Sequence, residues 1–411
     1  MRRKMGVAIA ACAVAGATVA SAPVAAADTL GGELDSYIVV LKDGIDAASV
    51  APQQVGALGG TVGHVYSSAV NGYSAKLTDV ARQQLAASPA VDYIQRDTPV
   101  RSTAQSTPTG IDRADADQSP TAAIDGVDQR VDVDVAVIDT GADLDHPDLN
   151  VYEAGAENCS TLSLSPEDEH GHGTHVAGTI GALDDANGVV GMAPGARIWP
   201  VKVLNALGSG TTSDVICGID YVAANADQIE VANMSLGGGG SDDGDCGSTD
   251  GDAQHAAICN AVAAGVTFVV AAGNDHADAK DFVPAAYDEV ITVSALADFN
   301  GQPGGGAAST CRNDVDDTFA DFSNYGNDVD LIAPGVCIES TWLDGGYNTI
   351  SGTSMASPHA AGAAALYKAN NPSASPEQVK RALQNAGTTD WTWPSEDPDG
   401  VQEPLLNVAG F

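Results

Sequence analysis

The sequence has few basic residues. Among its 411 residues there are 17 Lys and Arg against 55 Asp and Glu, which gives a formal net charge of −38. A protein that neutralises nucleic-acid phosphates needs clustered Lys and Arg, so this composition excludes a nucleic-acid partner. Aromatic residues are also scarce, at 5%. Hydrophobic residues nevertheless make up 44% of the chain, which is typical of a globular protein and not of a disordered acidic tail.

Long apolar runs are missing beyond the first residues of the chain. Crossing a bilayer takes roughly 18 to 20 consecutive apolar residues, and the apolar stretch over residues 5–20 is shorter than that. Basic residues at 2–4 precede it, and small residues at 25–27 follow. This pattern predicts a secretory signal peptide over residues 1–27 rather than a membrane anchor. We therefore expect a secreted, extracellular protein with no membrane association after cleavage.

Two metal motifs are absent as well. No pair of cysteines has the CxxC spacing of a zinc cluster. His170, His172 and His175 lie close together in the sequence, but the HExxH pattern of a zinc protease helix is missing. The acidic run over residues 241–252 lacks the DxDxDG spacing of a calcium loop, and we expect a solvated loop tied down by Cys246.

The cysteines that are present favour disulfides. Cys12 leaves with the signal peptide, and an even number in an exported chain indicates disulfide bonds, with 15 possible connectivities. Sequence proximity favours two pairs and leaves the third by elimination. The predicted pairs are Cys246–Cys259, Cys311–Cys337 and Cys159–Cys217.

The chain has two regions with different patterns. Strand-like runs at 37–41 and 91–94 enclose a helical pattern at 80–85, which predicts a small α+β unit. A polar, linker-like stretch follows at 101–110. From residue 131 onward, apolar β-branched runs alternate with Ala-rich helical segments. This alternation predicts an α/β fold with a mainly parallel sheet that is buried on both faces.

Three segments carry residues suited to acyl transfer. Asp139 follows a buried strand in VAVIDTG, His172 opens the helix-like HGTHVAG, and Ser354 lies in GTSMASPH before an Ala-rich helix. Each alone has an ordinary interpretation as a turn or cap residue. The GxSxG elbow is not present, because Ala356 occupies its last position. Together the three segments supply the acid, base and hydroxyl that acyl transfer requires.

In this order, the motifs closely resemble those of the subtilisin-like serine proteases (peptidase family S8). The resemblance implies the subtilisin-like three-layer α/β fold with a mainly parallel sheet, preceded by a small α+β propeptide domain. Its domains are a signal peptide at 1–27, an inhibitory propeptide at 28–103 and a catalytic domain at 104–411. NGYSA at 71–75 and DYI at 92–94 extend the resemblance into the propeptide.

The resemblance also implies a function. We expect a secreted serine endopeptidase that hydrolyses peptide bonds through an Asp139, His172, Ser354 triad and an acyl-enzyme. It is made as a self-processing zymogen. Protein and peptide substrates, and its own propeptide as an intramolecular inhibitor, are the expected partners of a monomer. The alternative is a pseudoenzyme that keeps the fold without turnover. The intact catalytic positions, including Asn274, argue against it.

Further site residues follow from the resemblance. Asn274, whose plain interpretation is a turn residue, matches the family's side-chain donor to the oxyanion, and the Ser354 amide is the second donor. The substrate would pair as an added strand and enter a pocket with small walls. The implied substrate-binding residues are Ser235, Leu236, Gly237, Ala271, Ala272 and Gly273.

Calcium is the cofactor that the resemblance implies, with a structural role. Six residues give the oxygen ligands that Ca²⁺ prefers: Gln105, Asp148, Leu183, Asp185, Asn187 and Val189. Asp185 and Asn187 depart from the residues usual in bacterial subtilisins, and a solvated acidic loop is the alternative. A second, weaker site is expected between Asp330 and carbonyls near Pro284 and Tyr287. His146, His175 and His359 are expected to pack or cap.

The negative charge is unevenly distributed. Residues 104–411 hold 9 basic and 47 acidic residues, so the expected mature enzyme carries the whole net charge of −38. Such a density keeps the protein soluble and attracts calcium, but the carboxylates repel one another. We therefore expect its stability to rise with salt.

Overall fold

The structure is a computed structural model that describes residues 34–42, 44–97, 105–393 and 397–411. It separates into two compact units, Met1–Thr98 and Pro99–Phe411. The expected signal peptide at 1–27, its cleavage point and the junction between residues 103 and 104 lie outside the described residues. These boundaries therefore stay predictions. In the described part, no helix is both long enough and apolar enough to cross a membrane.

The first unit is a small α+β fold. Its elements are β1 (Asp35–Leu41), α1 (Ala47–Ala57), β2 (Thr61–Tyr66), β3 (Gly72–Leu77), α2 (Asp79–Ala86) and β4 (Val91–Arg96). The strands form an antiparallel sheet in the order β2-β3-β1-β4. Asp46 and Thr78 accept hydrogen bonds from the first turns of α1 and α2, which satisfies amides at each helix start. Val39, Tyr73 and Val55 are buried between sheet and helices.

The second unit alternates strands and helices. Its strands are β5 (Asp134–Asp139), β6 (Glu157–Asn158), β7 (Arg197–Lys202), β8 (Val231–Met234), β9 (Gly238–Gly239), β10 (Thr267–Ala271), β11 (Phe282–Val283), β12 (Ile291–Ala297), β13 (Thr318–Phe319), β14 (Leu331–Pro334), β15 (Ile338–Trp342) and β16 (Gly346–Ile350). Its helices are α3 (Thr109–Arg113), α4 (His172–Gly181), α5 (Thr212–Ala224), α6 (Ala253–Ala263), α7 (Thr353–Asn370) and α8 (Pro376–Ala386).

A mainly parallel sheet lies at the centre of this unit. The strand order is β13-β12-β10-β8-β5-β7-β6, and β14 also pairs with β12. These pairs are parallel, except that β13 runs antiparallel to β12. The predicted α/β class and mainly parallel sheet are confirmed.

Helices cover both faces of the sheet, so its strands are apolar at successive positions. Val135 and Val137 of β5 face a core shared with α4, α7 and α8. Ala136 and Ile138 face a second core shared with α5 and α6. The three-layer architecture is therefore also confirmed. Because β5 is buried on both faces, packing on both sides positions the residue at its end.

Three disulfides close loops in the second unit. They join Cys159 to Cys217, Cys246 to Cys259 and Cys311 to Cys337. These are the pairs that sequence proximity and elimination favour. The first ties the segment after β6 to α5, and the second ties the acidic loop to α6. Each therefore links an irregular segment to another part of the unit.

Candidate active site

Asp139 is the last residue of β5 and is fully buried. Its Oδ1 atom accepts a hydrogen bond from the Thr140 amide at 2.6 Å and lies 2.8 Å from Nδ1 of His172. Its Oδ2 atom is buried without a hydrogen-bond partner among the described residues. The carboxylate therefore faces one imidazole, in the orientation that fixes which ring nitrogen carries the proton.

His172 is the first residue of α4, and glycines allow this helix end to approach β5. Gly171 has φ +101°, and a Cβ atom there would collide with the ring of Trp342. At Gly173 a Cβ atom would collide with the carbonyl oxygen of Gly141, just after β5. The HGTHVAG segment thus needs small residues beside His172 to bring the imidazole to Asp139.

Asp168 anchors the start of this helix, a role that sequence reasoning missed. Its Oδ1 atom accepts from the amides of His170 and Gly171, and Oδ2 accepts from the amide and hydroxyl of Thr174. The Thr174 amide is one of the free amides in the first turn of α4, and the other two amides hold the turn that precedes the helix. An aspartate just before a helical segment is a recognisable capping signal.

The environment of His172 favours its charged form. Burial alone lowers the pKa of the imidazole. The charge and hydrogen bond of Asp139 outweigh this effect, and the charge of Asp168 raises the pKa further. The net result is a pKa above the usual 6.5. An imidazolium formed during a reaction is therefore stabilised where it would arise.

Ser354 is the second residue of α7 and is held against the segment that follows β8. Its hydroxyl donates to the Ser235 carbonyl at 3.2 Å, and the Ser235 hydroxyl donates to the Ser354 carbonyl at 2.8 Å. A hydrogen bond between this hydroxyl and His172 would require it to leave the Ser235 carbonyl. Hydrogen bonds of this kind often form only when substrate is bound.

Asn274 lies beside the start of α7. Its Oδ1 atom accepts from the Thr353 amide at 2.8 Å and from the Thr353 hydroxyl at 3.0 Å. The same hydroxyl accepts from the Gly273 amide at 3.1 Å. Because Oδ1 is used inside the protein, Nδ2 is the group left to donate to a bound molecule. Thr353, which sequence reasoning missed, sets this orientation.

The predicted substrate residues line two adjoining cavities of about 590 and 340 Å³. Both are lined by residues 235–239. His172 lines the larger cavity, whereas Ser354, Asn274 and residues 271–273 line the smaller one. All six predicted substrate residues therefore line the smaller cavity, and three of them also line the larger one.

The other histidines of the motifs pack inside the protein, as expected. His175 and His359 are fully buried, and burial lowers their pKa values to about 3 and about 4. Their rings contact the carbonyls of Ile338 and Met355. His146 is also buried, with Nε2 3.0 Å from the Gly346 carbonyl. None of the three lines either cavity.

Lys202, at the end of β7, is a second residue that sequence reasoning missed. Its side chain is completely buried, and its ammonium donates to the Thr140 carbonyl at 2.5 Å. Burial lowers its pKa, although the charges of Asp168, Glu169 and Asp139 oppose the effect. It therefore places a positive charge behind Asp139. A lysine within an apolar strand was the available signal.

The structure brings together four of the six predicted calcium ligands. The Gln105 amide contacts the carbonyl oxygens of Leu183 and Val189, at 2.7 and 3.2 Å. Asp148 accepts from the Val189 amide at 3.0 Å through Oδ2. Asp185 and Asn187 instead hydrogen bond to each other, and Asn187 is exposed.

These residues fit a calcium ion. Oδ1 of Asp148 is buried without a hydrogen-bond partner among the described residues. Burial, with the charge of Asp185 adding to it, raises the pKa of Asp148 to about 7. A half-turn of the Gln105 amide would aim its oxygen at the place where the two carbonyls converge. Oxygen donors of this number and kind suit Ca²⁺.

The prediction of a weaker calcium site at Asp330 is wrong, because a lysine ammonium lies beside this carboxylate. The Lys380 ammonium lies 2.8 Å from Oδ2 of Asp330 and donates to the carbonyls of Val290 and Asp288 at 2.8 and 3.3 Å. A protein cation thus takes the place expected for calcium. Lys380 comes from α8, 50 residues further along the chain, so the local sequence does not reveal it.

The acidic loop over residues 241–252 is mostly exposed, and the Cys246–Cys259 disulfide ties it to α6. The Asp243 carboxylate accepts hydrogen bonds from four backbone amides of the loop, those of Asp245, Gly247, Thr249 and Asp250. Its oxygens are thus used to shape the loop.

Comparisons with known proteins agree with this architecture. The subtilase family (peptidase S8) matches residues 131–404, and the peptidase inhibitor I9 family matches residues 36–103. An extracellular serine proteinase of Thermus sp. (strain Rt41A) is 40% identical over 81% of this chain and 75% of its own length. Subtilisin E of Bacillus subtilis (strain 168) is 37% identical over 86% and 85%.

One further relative and one solved structure are also similar to this chain. Alkaline serine exoprotease A of Vibrio alginolyticus is 38% identical over 86% of this chain, which spans 64% of that relative's length. The crystal structure of a cold adapted subtilisin-like serine proteinase matches with a TM-score of 0.54 and 35% identity, covering 75% of this chain and 99% of the other. The chain therefore belongs to the subtilase family of serine endopeptidases and carries an I9-type inhibitor domain ahead of its peptidase domain.

Proposed function

We propose that this protein is an exported serine endopeptidase that uses Asp139, His172 and Ser354 as its catalytic triad. The observation that carries the proposal is the 2.8 Å contact between the buried Asp139 carboxylate and Nδ1 of His172. His172 borders the larger of the two adjoining cavities, and Ser354 borders the smaller one. An acid, a base and a hydroxyl in this order are what peptide-bond hydrolysis through an acyl-enzyme needs.

Acylation begins when Oγ of Ser354 attacks the carbonyl carbon of the scissile peptide bond. Nε2 of His172 accepts the hydroxyl proton and then donates it to the leaving amine. Asp139 keeps the other ring proton on Nδ1 and stabilises the imidazolium. Water then attacks the Ser354 ester, with His172 again as the base, and releases the acid product and the free serine.

The negative oxygen of the tetrahedral intermediate needs donors. We propose Nδ2 of Asn274 and the backbone amide of Ser354 for this role. The Ser354 amide lies at the N-terminal end of α7, where the helix dipole also favours negative charge. Because Thr353 already holds Oδ1 of Asn274, the donor group is oriented before substrate arrives.

Substrate binding is proposed along two strips of backbone, residues 235–237 and 271–273. They line the smaller cavity on two sides. An extended peptide can pair with such backbone as an additional strand, while its side chain enters the cavity between the small residues. These contacts would hold the scissile bond beside Ser354.

We further propose a structural calcium ion at Gln105, Asp148 and the carbonyls of Leu183 and Val189, completed by Asp185 and Asn187. Bound there, the ion would supply positive charge to the buried Asp148 carboxylate and fasten the loop of residues 183–189. It takes no part in the chemical steps. The orphaned Oδ1 atom of Asp148 is the observation that supports it.

The N-terminal part is proposed to leave in two steps. A signal peptide at 1–27 would direct export, and the enzyme would then remove its propeptide at 28–103 to release a monomeric domain at 104–411. The propeptide would inhibit the enzyme until that cut. Support comes from the I9 match at residues 36–103 and from one relative that is named as extracellular.

The Ser354→Ala variant tests the proposal. We expect the purified variant to remain at precursor length and to leave casein intact, because the nucleophile is missing. Ser373→Ala, in the exposed turn after α7, is the matched control and should mature and cleave normally. Mass spectrometry and casein hydrolysis measure both properties. Processing and casein cleavage by Ser354→Ala would show that Ser354 is not the nucleophile.

A further inference from the structure

A cluster of three carboxylates lies near the end of the chain, far in sequence from the residues discussed above. After α8 the chain turns back, and Thr388 and Leu405 exchange two backbone hydrogen bonds of 2.8 Å. The loop between them carries Asp397, Asp399 and Glu403. One oxygen from each of these side chains lies within 4.8 Å of the others.

Two of the three carboxylates are buried without compensation. Asp397 is 6% exposed and Glu403 is 2% exposed. Oδ2 of Asp397 and both carboxylate oxygens of Glu403 have no hydrogen-bond partner among the described residues. Burying a carboxylate without a partner is costly, so these atoms indicate that something is bound against them.

Asp399 differs from its neighbours because it holds the loop in place. Its Oδ2 atom accepts from the Gly326 amide at 3.0 Å, and Oδ1 accepts from the Val401 amide at 2.6 Å. Oδ1 of Asp397 accepts weakly from the Asp399 amide, at 3.3 Å. The loop is therefore shaped by its aspartates, while Glu403 and Oδ2 of Asp397 point into the cluster unused.

The charges that act on Glu403 all have one sign. Burial is the main cause that raises its pKa to about 8. Its own backbone amide opposes this effect, and the negative charges of Asp397 and Asp399 add smaller increases. Burial and the charge of Asp399 likewise raise the pKa of Asp397 to about 6. Like charges in a buried cluster are an environment that a bound cation would relieve.

We propose that Asp397, Asp399 and Glu403 form a divalent cation site of the calcium class, separate from the one at Asp148. All the donors are oxygens. Hard cations such as Ca²⁺ and Mg²⁺ prefer oxygen ligands, whereas zinc prefers nitrogen and sulfur. Calcium bonds of about 2.3 to 2.6 Å place opposite ligands roughly 4.6 to 5.2 Å apart, so oxygens within 4.8 Å of one another can contact one ion. Calcium also accepts an irregular set of ligands more readily than Mg²⁺.

The ion would fasten the C-terminal loop to the segment that supports the oxyanion donor. Asp399 contacts Gly326, and two residues earlier Asn324 braces the loop around Asn274. The backbone amide of Asn324 donates to the Gly273 carbonyl at 2.9 Å, and Oδ1 of the Asn324 side chain accepts from the Asp275 backbone amide at 2.9 Å. The expected effect of the ion is on stability, because none of the three ligands lines the substrate cavities.

Calcium binding to the full chain tests the proposal directly. The Ser354→Ala background prevents self-digestion, and a chelator followed by gel filtration removes bound metal. Calorimetric titration with CaCl₂ should show one fewer ion per chain for the variant Asp397→Asn with Glu403→Gln. The control Asp227→Asn with Glu153→Gln removes two exposed charges and should bind the same number as the parent. Equal stoichiometry in the cluster variant and the control would overturn the site.

Terbium luminescence gives a second measurement that leaves every ligand intact. The Trp391 indole donates to the Glu403 carbonyl at 3.1 Å, and the Trp393 side chain lies near the Asp397 carboxyl. In an Asp148→Asn background, Tb³⁺ should therefore emit when tryptophan is excited, and Ca²⁺ should displace it. Trp393→Phe should remove much of this emission, whereas Trp342→Phe should not. If no tryptophan-sensitised emission arises, the cluster holds protons alone and the proposal is wrong.

Discussion

The Lys380 ammonium lies 2.8 Å from the Asp330 carboxylate and also donates to the backbone carbonyls of Asp288 and Val290. A carboxylate and carbonyls converging on one point form a cation site, and here a side chain of the protein occupies it. Its charge cannot be removed by a chelator. This part of the fold should therefore not depend on calcium.

Replacing Lys380 should create that dependence. In Lys380→Met, Asp330 keeps its Thr292 and Gln384 bonds but loses its cation, and we expect a loss of about 1 to 3 kcal/mol. Calcium should restore part of this loss, because the oxygens remain. Thermal melts with and without CaCl₂ measure both effects. Arg381→Met, at the exposed neighbouring position, is the control. If the melting temperature of Lys380→Met does not change with calcium, then calcium cannot replace the lysine ammonium at this site.

Asn274 can be tested with a substitution that separates its two ends. Asn274→Asp retains an acceptor for Thr353 but loses the Nδ2 donor, whereas Asn274→Ala loses both. Both variants should lose turnover with little change in KM. In subtilisin, removal of one such donor costs about 100- to 1,000-fold, and we expect a similar loss here. Full kcat in Asn274→Asp would show that the donor has no role.

Activity should fall in acid as His172 becomes protonated. Its pKa is raised, so the loss should begin above pH 6.5 as pH decreases. The linkage to stability has the opposite sign. The contact with Asp139 stabilises the charged imidazole, so its contribution is complete below pH 6.5 and disappears as pH rises through the raised pKa.

Asp139→Asn checks the cause of this pH dependence. It should shift the acid limb of the kcat profile to lower pH and reduce turnover by about 10⁴-fold, the loss known for the equivalent change in another triad protease. Asp185→Asn, away from the triad, should leave the profile unchanged. An unaltered acid limb in Asp139→Asn would show that another group controls it.

Calcium removal should make stability fall as pH rises. The pKa of Asp148 is raised to about 7, so without an ion its protonated form is favoured in the folded state. The stabilising contribution is complete below pH 3.8 and is lost as pH rises through 7. Calcium at 100 times its Kd should restore about 2.7 kcal/mol.

Melts from pH 5 to 8, with calcium or with chelator, measure this effect. Asp148→Asn should bring the two curves together and flatten the apo curve. Asp227→Asn, an exposed aspartate on another loop, should behave like the parent. If the parent shows equal midpoints with calcium and chelator at pH 8, there is no structural calcium ion at Asp148.

Salt should stabilise the mature enzyme. With 9 basic and 47 acidic residues over 104–411, mutual repulsion opposes the folded state, and ions screen it. We expect the melting temperature to rise by a few degrees as NaCl increases at constant calcium. Sucrose at equal osmolality controls for general solute effects. A flat or falling midpoint in NaCl would contradict the prediction.

Much of the molecule was readable from local patterns. The apolar strands alternating with Ala-rich helices predicted the three-layer fold, because β5 and its neighbours must be apolar on both faces. The DTG, HGTHVAG and GTSMASPH segments placed Asp139 at a strand end and His172 and Ser354 at helix starts, and the structure has them there.

Contacts between distant segments were not readable in the same way. Lys380 and Asp330 are separated by 50 residues, and nothing near either one identifies the other. The burial of Lys202 behind Asp139 depends on how β7 packs beside β5. The hydroxyl of Ser354 meets Ser235 only because α7 begins against the segment after β8.

The sequence by itself determined the order of the elements, the family and the residues available for chemistry, since these depend on periodicity and local motifs. Only the tertiary structure decided which carboxylates lie together in a cluster and which one is paired with a lysine. Glu403 looks like any other acidic residue in this chain until folding buries it and leaves both oxygens without a hydrogen-bond partner among the residues that the structure describes. Burial and the direction of backbone carbonyls are properties of packing, and packing joins residues that the sequence keeps apart.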